Sequence, residues 1–232
     1  LIDASGITLI APRADKGQGA RWIQAALIAD ELDIDPAGAR IEPGPVSKTY
    51  YNTALLQENL PVDPTDTGWL AQTLRAGSDV PARLLGLQIT GGSSSVPDGF
   101  EKLRRAGAVA RETLKQAAAM REGLARADLR TGDGNVILPD GQRIPYTDLA
   151  AEAASIAPVQ DVVLRAPSQW RILGKPVQRA DIVAKSTGTQ RYGIDLAFDG
   201  MLYASVRAAP RGASVAKVEA AAAKGMRGVH SV

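Results

Sequence analysis

The chain has 232 residues, of which 45% are hydrophobic, 22% charged and only 4% aromatic, a composition typical of one large globular domain or two smaller ones. Its 27 Lys and Arg residues nearly balance 25 Asp and Glu residues, so charge gives no argument for a nucleic acid or an acidic membrane as partner. The absence of cysteine excludes disulfides, thiolate metal sites and iron–sulfur clusters held by this chain, and one histidine, His230, disfavours a histidine-based triad. The sequence contains no run of 18 apolar residues, so it predicts no membrane-spanning helix.

The first 46 residues predict a strand, a helix and a second strand. The strands are expected over residues 6–12 and 39–46, and the helix begins after Gly19 with an apolar side formed by Ile23, Ala26, Leu27 and Ile28. This order, with a glycine turn between the first strand and the helix, predicts layered α/β or α+β architecture. Four acidic residues close the helix without the spacing of a calcium loop, so we expect a solvated helix end there: Asp30, Glu31, Asp33 and Asp35.

The middle of the chain predicts one short helix and one long helix. Residues 47–81 have a weak pattern, typical of a lid or an insertion, with a short helix over 67–76 capped by Asp66 or Thr65. The long helix follows the glycine- and serine-rich segment at 91–95. Its apolar positions are spaced by three and four: Phe100, Leu103, Gly107, Ala110, Leu114 and Ala117. Small residues on this stripe, Gly107 and Ala110, predict close backbone approach to a neighbour.

The last hundred residues predict a hairpin and then a second, smaller α/β unit. "PDG" is the expected hairpin turn between two short strands, and Thr147 is the expected cap of the next helix. Proline-punctuated residues 158–170 predict a domain boundary. Beyond it we expect a short helix ending at Gly188, a strand over 201–210, a further helix and a terminal strand that contains His230. Because the chain starts without methionine and "GVHSV" stops within an apolar run, we expect a piece of a longer protein.

Two glycine-rich segments stand directly before helices and are candidate ligand sites. "GQG" at residues 17–19 and "TGGSSS" at 90–95 let a polar ligand approach helix N-terminal N–H groups, which lack partners and carry partial positive charge. Such segments are also common as simple helix caps and flexible turns, and this alternative stays open. Neither is a standard nucleotide motif. "TGGSSSVPDG" has no Walker lysine, and "GQGARW" has Trp22 where the dinucleotide fingerprint needs its third glycine.

Three ordered segments together resemble one protein family. They are "APRADKGQGARWIQAALIADELDID", "QITGGSSSVPDGFEKLRRAGAVARE" and "QWRILGKPVQRADIVAKSTGTQRYGIDLAFDGMLYASVRAAP". They resemble the large, molybdopterin-binding subunit of xanthine dehydrogenase-type molybdenum hydroxylases, in particular the branch of isoquinoline 1-oxidoreductase beta subunits and bacterial aldehyde dehydrogenases. The resemblance implies an α+β fold, with residues 1–160 the N-terminal part of the molybdopterin-binding domain and residues 161–232 the start of a small α/β hammerhead domain.

The resemblance also implies a cofactor and the residues that bind it. The cofactor is molybdopterin cytosine dinucleotide, contacted by Gly17, Gln18 and Gly19 and by Gly91, Gly92, Ser93, Ser94 and Ser95. The enzyme would hydroxylate an aldehyde or N-heterocycle, with water as oxygen source. Its partners would be the rest of the large subunit, a two-iron, two-sulfur small subunit and, in some members, a cytochrome c subunit. Relatives are often exported, which suggests the periplasm by analogy.

Departures from the family limit what this chain can do alone. Lys16 stands where the family usually has methionine, and Pro97 where an arginine-like residue is common. The family's catalytic glutamate lies in a glycine-flanked motif that does not occur before Val232, so we expect no catalytic or metal-ligating residue here and no activity from these residues alone. A noncatalytic α/β module for interaction or anion binding is the alternative interpretation.

Overall fold

A computed structural model describes residues 1–63, 65–176, 178–179 and 181–232. The chain is a mixed α+β protein that divides into two compact units, Leu1–Thr187 and Gly188–Val232. The predicted boundary at residue 160 concerns the domains of the family and stays a prediction. In the described part of the chain, no helix combines the length and apolar character that crossing a membrane would require.

The first sheet confirms the predicted strand–helix–strand order. Strand β1 (Ile2–Asp3) pairs antiparallel with β2 (Gly6–Ile10), and β2 pairs parallel with β3 (Arg40–Glu42). Helix α1 (Ala20–Leu32) connects β2 to β3, since parallel neighbours need a crossover and a helix is the usual one. The loop between β2 and α1 therefore lies at the carboxyl end of β2, and it contains the "GQG" segment.

The long helix α4 (Ser95–Glu122) packs along α1 and confirms the predicted close approach at Gly107. A Cβ atom at Gly107 would lie 2.4 Å from the backbone oxygen of Ile28. Small side chains occupy much of the buried core around this contact: Ala25, Ala29, Ala117, Ala118 and Ala119. Glycine and alanine thus bring the two helix backbones together.

The second sheet contains the predicted hairpin and one strand that was not predicted. Strands β4 (Arg130–Gly132), β5 (Asn135–Ile137) and β6 (Arg143–Pro145) form an antiparallel meander. The added turn is Asp133–Gly134, whose two positive φ angles suit a tight hairpin. The sheet is tied to α1 by buried Tyr146, whose hydroxyl donates to the Leu32 carbonyl at 3.0 Å.

Two predicted helix boundaries were wrong. The helix predicted over residues 67–76 is α3, which spans Trp69–Leu85 and has Gly68 at its N-cap rather than Asp66 or Thr65. A short helix that was not predicted, α2 (Ala54–Gln57), precedes it. Helix α3 continues through Pro81, which has no N–H to donate to the Gly77 carbonyl four positions earlier. Thr147 lies inside a 3₁₀ turn, and α5 (Ala150–Ser155) begins after Leu149.

The sequence predicted a solvated end for α1, and this prediction was wrong. Asp30, Glu31 and Asp33 are 1%, 0% and 4% exposed. Arg104 and Arg111 of α4 pair with Glu31. Asp33 instead pairs with two arginines far along the chain, Arg165 and Arg171. Asp35 stays exposed and accepts the Ala37 N–H at 2.9 Å.

The predicted strands of the second unit were wrong. Within residues 188–232, all of which the structure describes, there is no strand and no buried residue, and the α-helix is α7 (Ala221–Lys224). The segment 201–210 is mostly exposed and forms no strand, since a strand needs a neighbouring strand to pair with its backbone hydrogen-bonding groups. His230 is exposed outside any strand. The predicted short helix before Gly188 is present as α6 (Ile182–Ser186) in the first unit.

Candidate functional site

The two glycine-rich segments line the same pocket. It is open and has a volume of about 400 Å³, and its walls are formed by residues on both sides: Lys16, Gln18, Ala20, Ile23, Thr90, Gly91, Ser93, Ser95 and Val96. The packing of α1 on α4 explains why segments so distant in sequence meet. Gln24 contacts Ser95 and Ile28 contacts Gly107, so the helices run in the same direction and both N-termini reach this end. Both helix dipoles direct partial positive charge at the pocket.

The loop over residues 15–19 is closed by its own carboxylate. Asp15 accepts the N–H groups of Gly17 at 2.8 Å, Gly19 at 3.5 Å and Arg21 at 3.3 Å. Gly17 and Gly19 have φ angles of 101° and 85°, which favour glycine. Burial opposes ionisation of Asp15, but these bonds and the Arg179 guanidinium outweigh it, so the pKa of Asp15 lies below its usual value. This helix N-terminus is therefore already occupied by an anionic group of the chain itself.

Gln18 projects from this loop and lines the pocket. Its Oε1 accepts the Lys16 N–H at 2.5 Å and its Nε2 donates to the Ala14 carbonyl at 3.0 Å. Lys16 is the charged residue among those that line the pocket, and its Nζ lies 3.4 Å from the Thr90 carbonyl oxygen on the opposite wall. The Ala14 N–H also donates to Thr90 Oγ1 at 2.9 Å. These bonds hold the two walls against each other.

The serines of the second segment have different environments. Ser93 and Ser95 line the pocket, whereas Ser94 is fully buried. Ser94 Oγ donates to the Gly91 carbonyl at 2.6 Å and accepts from Asn52 Nδ2 at 2.7 Å. Positive φ angles at Gly92 (56°) and Ser93 (53°) turn the chain into α4. The pocket therefore receives two hydroxyl groups together with the N–H groups of Ser95 and Val96, which have no carbonyl partner within the helix; the next residue, Pro97, has no N–H.

A buried glutamine that the sequence did not single out connects the two walls. Gln24 is 1% exposed; its Oε1 accepts the Arg13 N–H at 3.0 Å and its Nε2 donates to the Ser95 carbonyl at 3.1 Å. One carboxamide thus fixes the loop that follows β2 relative to the start of α4. A glutamine within an apolar helical stretch gives a weak sequence signal, because glutamine is as common on an exposed helix face.

A buried ionic cluster supports the pocket from behind and was also missed. Asp98 Oδ2 lies 2.5 Å from Arg13, and its Oδ1 accepts from Lys102 Nζ at 2.7 Å and from the Thr53 N–H at 2.8 Å. Arg13 also donates to the Tyr50 carbonyl at 2.8 Å. Asp98 lies in the first turn of α4, where an acidic residue is common and gives no specific signal. Its partners lie far along the chain, so no local pattern could reveal them.

No side-chain cluster of the kind that binds metals is present among the described residues: no three or more His, Cys, Asp or Glu residues are suitably grouped. The donors around the pocket are amide, hydroxyl, ammonium and backbone N–H groups. Such a set suits a polar organic ligand with anionic oxygens rather than a bare cation.

Comparison with known proteins relates the chain to oxidoreductases. No protein-family model matches it. It is 27% identical to the beta chain of isoquinoline 1-oxidoreductase from Brevundimonas diminuta over 267 aligned residues, covering 100% of this chain and 31% of that protein. It is 29% identical over 230 residues to the membrane-bound aldehyde dehydrogenase (pyrroloquinoline-quinone) of Gluconacetobacter polyoxogenes, covering 96% of this chain and 25% of that protein.

A third relative matches a shorter part of the chain. The B subunit of nicotinate dehydrogenase from Pseudomonas putida is 34% identical over 105 residues, 45% of this chain and 9% of that protein. The chain spans about a quarter to a third of the length of the first two relatives. All three names describe oxidoreductases or dehydrogenases, and two describe subunits. The similarity therefore supports an oxidoreductase family and singles out no substrate.

Proposed function

We propose that this chain is the cofactor-binding portion of the large subunit of a molybdenum hydroxylase that oxidises an aldehyde or an N-heterocycle. The observation that carries the proposal is that one pocket is lined by residues from both segments that the family resemblance assigns to the cofactor: Gln18 from the first segment, and Gly91, Ser93 and Ser95 from the second. The names of the relatives support dehydrogenase chemistry, and the isoquinoline oxidoreductase name coincides with the branch that the motifs resemble.

The residues of the pocket fit a pterin dinucleotide. The Gln18 carboxamide keeps a second Nε2 hydrogen and a second Oε1 lone pair beyond its bonds to Ala14 and Lys16, and these offer a donor and an acceptor to the amide-like edge of a pterin. Ser93, Ser95 and the first N–H groups of α4 offer donors to phosphate oxygens, and Lys16 adds a positive charge. The pocket has a volume of about 400 Å³ and is open on one side, so these residues would hold only part of the cofactor. The remaining walls would come from the rest of the large subunit.

The other assigned residues would act through the backbone. Gly17, Gly19 and Gly92 adopt left-handed conformations that shape the two segments, and Gly91 accepts the Ser94 hydroxyl hydrogen bond. Ser94 would fix the turn from inside, because its hydroxyl is fully engaged within the protein. Gly17, Gly19, Gly92 and Ser94 thus have positioning roles, while direct contact falls to the residues that line the pocket, Gln18, Gly91, Ser93 and Ser95.

The bound cofactor, molybdopterin cytosine dinucleotide, would supply the electron-transfer and oxygen-transfer chemistry, with water as the source of oxygen. Residues of this chain bind and orient it, and we assign them no catalytic step. Electrons would leave through a two-iron, two-sulfur subunit and, in some assemblies, a cytochrome c subunit. Residues 1–160 would belong to the molybdopterin-binding domain and residues 161–232 to the start of the hammerhead domain.

The proposal is tested on the complete large subunit that contains this chain, co-produced with its partners. Molybdenum is measured by elemental analysis, and the nucleotide released by acid hydrolysis is identified by mass spectrometry. We expect about one molybdenum per large subunit and cytidine monophosphate. The double variant Ser93→Ala, Ser95→Ala should contain at most roughly a tenth of the wild-type molybdenum, since hydrogen bonds to charged groups such as phosphate contribute about 1.5–3 kcal/mol each. The variant Gln18→Ala should also lower the molybdenum content, but by a smaller factor, since hydrogen bonds between neutral groups contribute about 0.5–1.5 kcal/mol each.

Ser155→Ala is the matched control, because Ser155 is an exposed serine of α5 whose hydroxyl donates within that helix. It should leave the molybdenum content unchanged. Unchanged content and activity in the pocket variants would remove these residues from the cofactor site.

The name of one relative favours a second candidate, a quinone-dependent aldehyde dehydrogenase. That relative is named for pyrroloquinoline quinone, an anionic cofactor that the same hydroxyl, ammonium and N–H donors could also bind. The elemental analysis separates the two. An active enzyme with a bound quinone and no molybdenum would establish the second candidate and contradict the first.

A further inference from the structure

A segment near the end of the first unit runs along α1 towards the pocket. We call it the strap and define it as residues 163–176, 178, 179 and 181. Arg165 pairs with Asp33 at the C-terminal end of α1, and the Ile172 N–H donates to Asp30 at 2.6 Å. Further on, Leu173 packs against Ala26 and Leu27. The strap therefore passes from one end of α1 towards the other.

The strap reaches the pocket loop through Arg179. One terminal nitrogen, NH1, donates to the Gly17 carbonyl at 2.8 Å. The other, NH2, lies 3.6 Å from the Asp15 carboxylate. Asp15 is the group that accepts three N–H groups of this loop, so Arg179 contacts both the backbone of the loop and the side chain that closes it.

Arg179 is itself held in place by the start of α6. Its Nε and NH2 donate to the two carboxylate oxygens of Asp181 at 2.9 and 2.7 Å, and Lys185 Nζ lies 2.6 Å from the same carboxylate. The planar guanidinium can make this paired contact and still direct NH1 at Gly17, which the single ammonium of a lysine cannot do. The geometry at Arg179 is thus specific to arginine.

We propose that Arg179 is a positioning residue of the pocket, which holds the loop of residues 15–19, and with it Gln18, in its binding conformation from the strap. Its importance for ligand binding rests on the proposed function, whereas its effect on the loop does not. Arg179 is not among the residues that line the pocket, so it acts through Gly17 and Asp15.

The first test uses the 232-residue chain without ligand. Amide hydrogen exchange of the peptide covering residues 14–22 is compared in the wild type, Arg179→Ala and Arg179→Lys. We expect exchange of the Gly17 and Gly19 amides to accelerate about tenfold in Arg179→Ala, by a smaller factor in Arg179→Lys, and not at all in α4. Arg191→Ala, at an exposed arginine of the second unit, is the control and should leave the loop unchanged.

Loop exchange within twofold of the wild type in Arg179→Ala would overturn the proposal. If that variant does not fold, Asp181→Asn serves instead, because it loosens the guanidinium without deleting it. It should also accelerate exchange in the loop, and unchanged rates there would again overturn the proposal.

The second test measures molybdenum in the complete large subunit. We expect Arg179→Ala to lower its molybdenum content and Arg179→Lys to restore part of it. A loosened loop with full molybdenum content would overturn the link between the loop and binding. A loosened loop in a protein that never contains molybdenum would support the positioning role and contradict only the proposed cofactor.

Discussion

At the scale of single residues, the pocket depends on a buried carboxamide. Gln24 bonds to the Arg13 N–H on one wall and the Ser95 carbonyl on the other. Gln24→Leu keeps a similar volume but leaves both backbone groups without partners in a buried position. We expect the free energy of unfolding to fall by about 1–3 kcal/mol, as measured by urea denaturation.

Gln142→Leu is the control for this substitution. Gln142 is exposed on the β5–β6 turn, so the same change of side chain should alter the free energy of unfolding by less than about 0.5 kcal/mol. An equal loss of stability in both variants would show that the effect comes from leucine itself and not from the bridge between the walls.

The residues around the pocket show what a single sequence can reveal. Gly17, Gly19 and Ser93 were identified because glycine- and serine-rich segments before a helix have a direct physical meaning. Asp15 and Gln24 were not, since their roles depend on which backbone groups come within reach after folding. Asp15 also alters the interpretation of the first segment, because its carboxylate occupies the N–H groups that the sequence offered to an external anion.

At the scale of elements, the contact of α1 with α4 brings both segments to one place. Gly107→Ala would put a Cβ atom 2.4 Å from the Ile28 carbonyl oxygen and 3.1 Å from Glu31 Cβ, so the helices must separate. Overpacking of this kind costs about 1–3 kcal/mol, which exceeds the gain of about 1 kcal/mol from replacing glycine in a helix. We expect a net loss of stability, measured by thermal or urea unfolding.

Gly77→Ala in α3 is the matched control. A Cβ atom at Gly77 has no neighbour within 4 Å, and this glycine has no positive φ angle. The substitution should therefore stabilise the chain by up to about 1 kcal/mol. If both alanine variants were equally stabilised, the close approach at Gly107 would not limit the packing of the two helices.

At the scale of the whole molecule, local patterns predicted the first unit better than the second. The strand–helix–strand order, the long helix and the hairpin were confirmed because each has its own periodicity or turn signal. The strand over 201–210 was wrong although Leu202, Ala204 and Val206 alternate, because alternation describes a strand only where a partner strand exists. The burial of Glu31 and Asp33 was missed for a related reason: their arginine partners lie 73 or more residues away.

These long-range pairs give the first unit a dependence on acid. Asp33, at the end of α1, is bonded by Thr131 of β4 and by Arg165 and Arg171 of the strap. Burial would raise the pKa of Asp33, but the hydrogen bonds from Arg165, Thr131 and Arg171 outweigh it and the pKa is lowered. The folded protein therefore binds the proton less readily than the unfolded chain, in which an aspartate has a pKa of about 3.9.

The stabilisation from Asp33 is consequently complete above about pH 4 and is lost as the pH falls through the lower pKa of the folded state. We expect Asp33→Asn to destabilise the chain at pH 7 by roughly 1–3 kcal/mol, because it removes charge-assisted bonds to two arginines. We also expect a smaller loss of stability between about pH 4 and pH 2 than in the wild type, measured by urea unfolding at each pH.

Gln142→Leu, which removes no titrating group, should keep the wild-type pH dependence. If Asp33→Asn kept it too, the acid sensitivity would have to come from the other carboxylates with lowered pKa values, such as Asp15 and Glu112, and the junction of helix, sheet and strap at Asp33 would not control it.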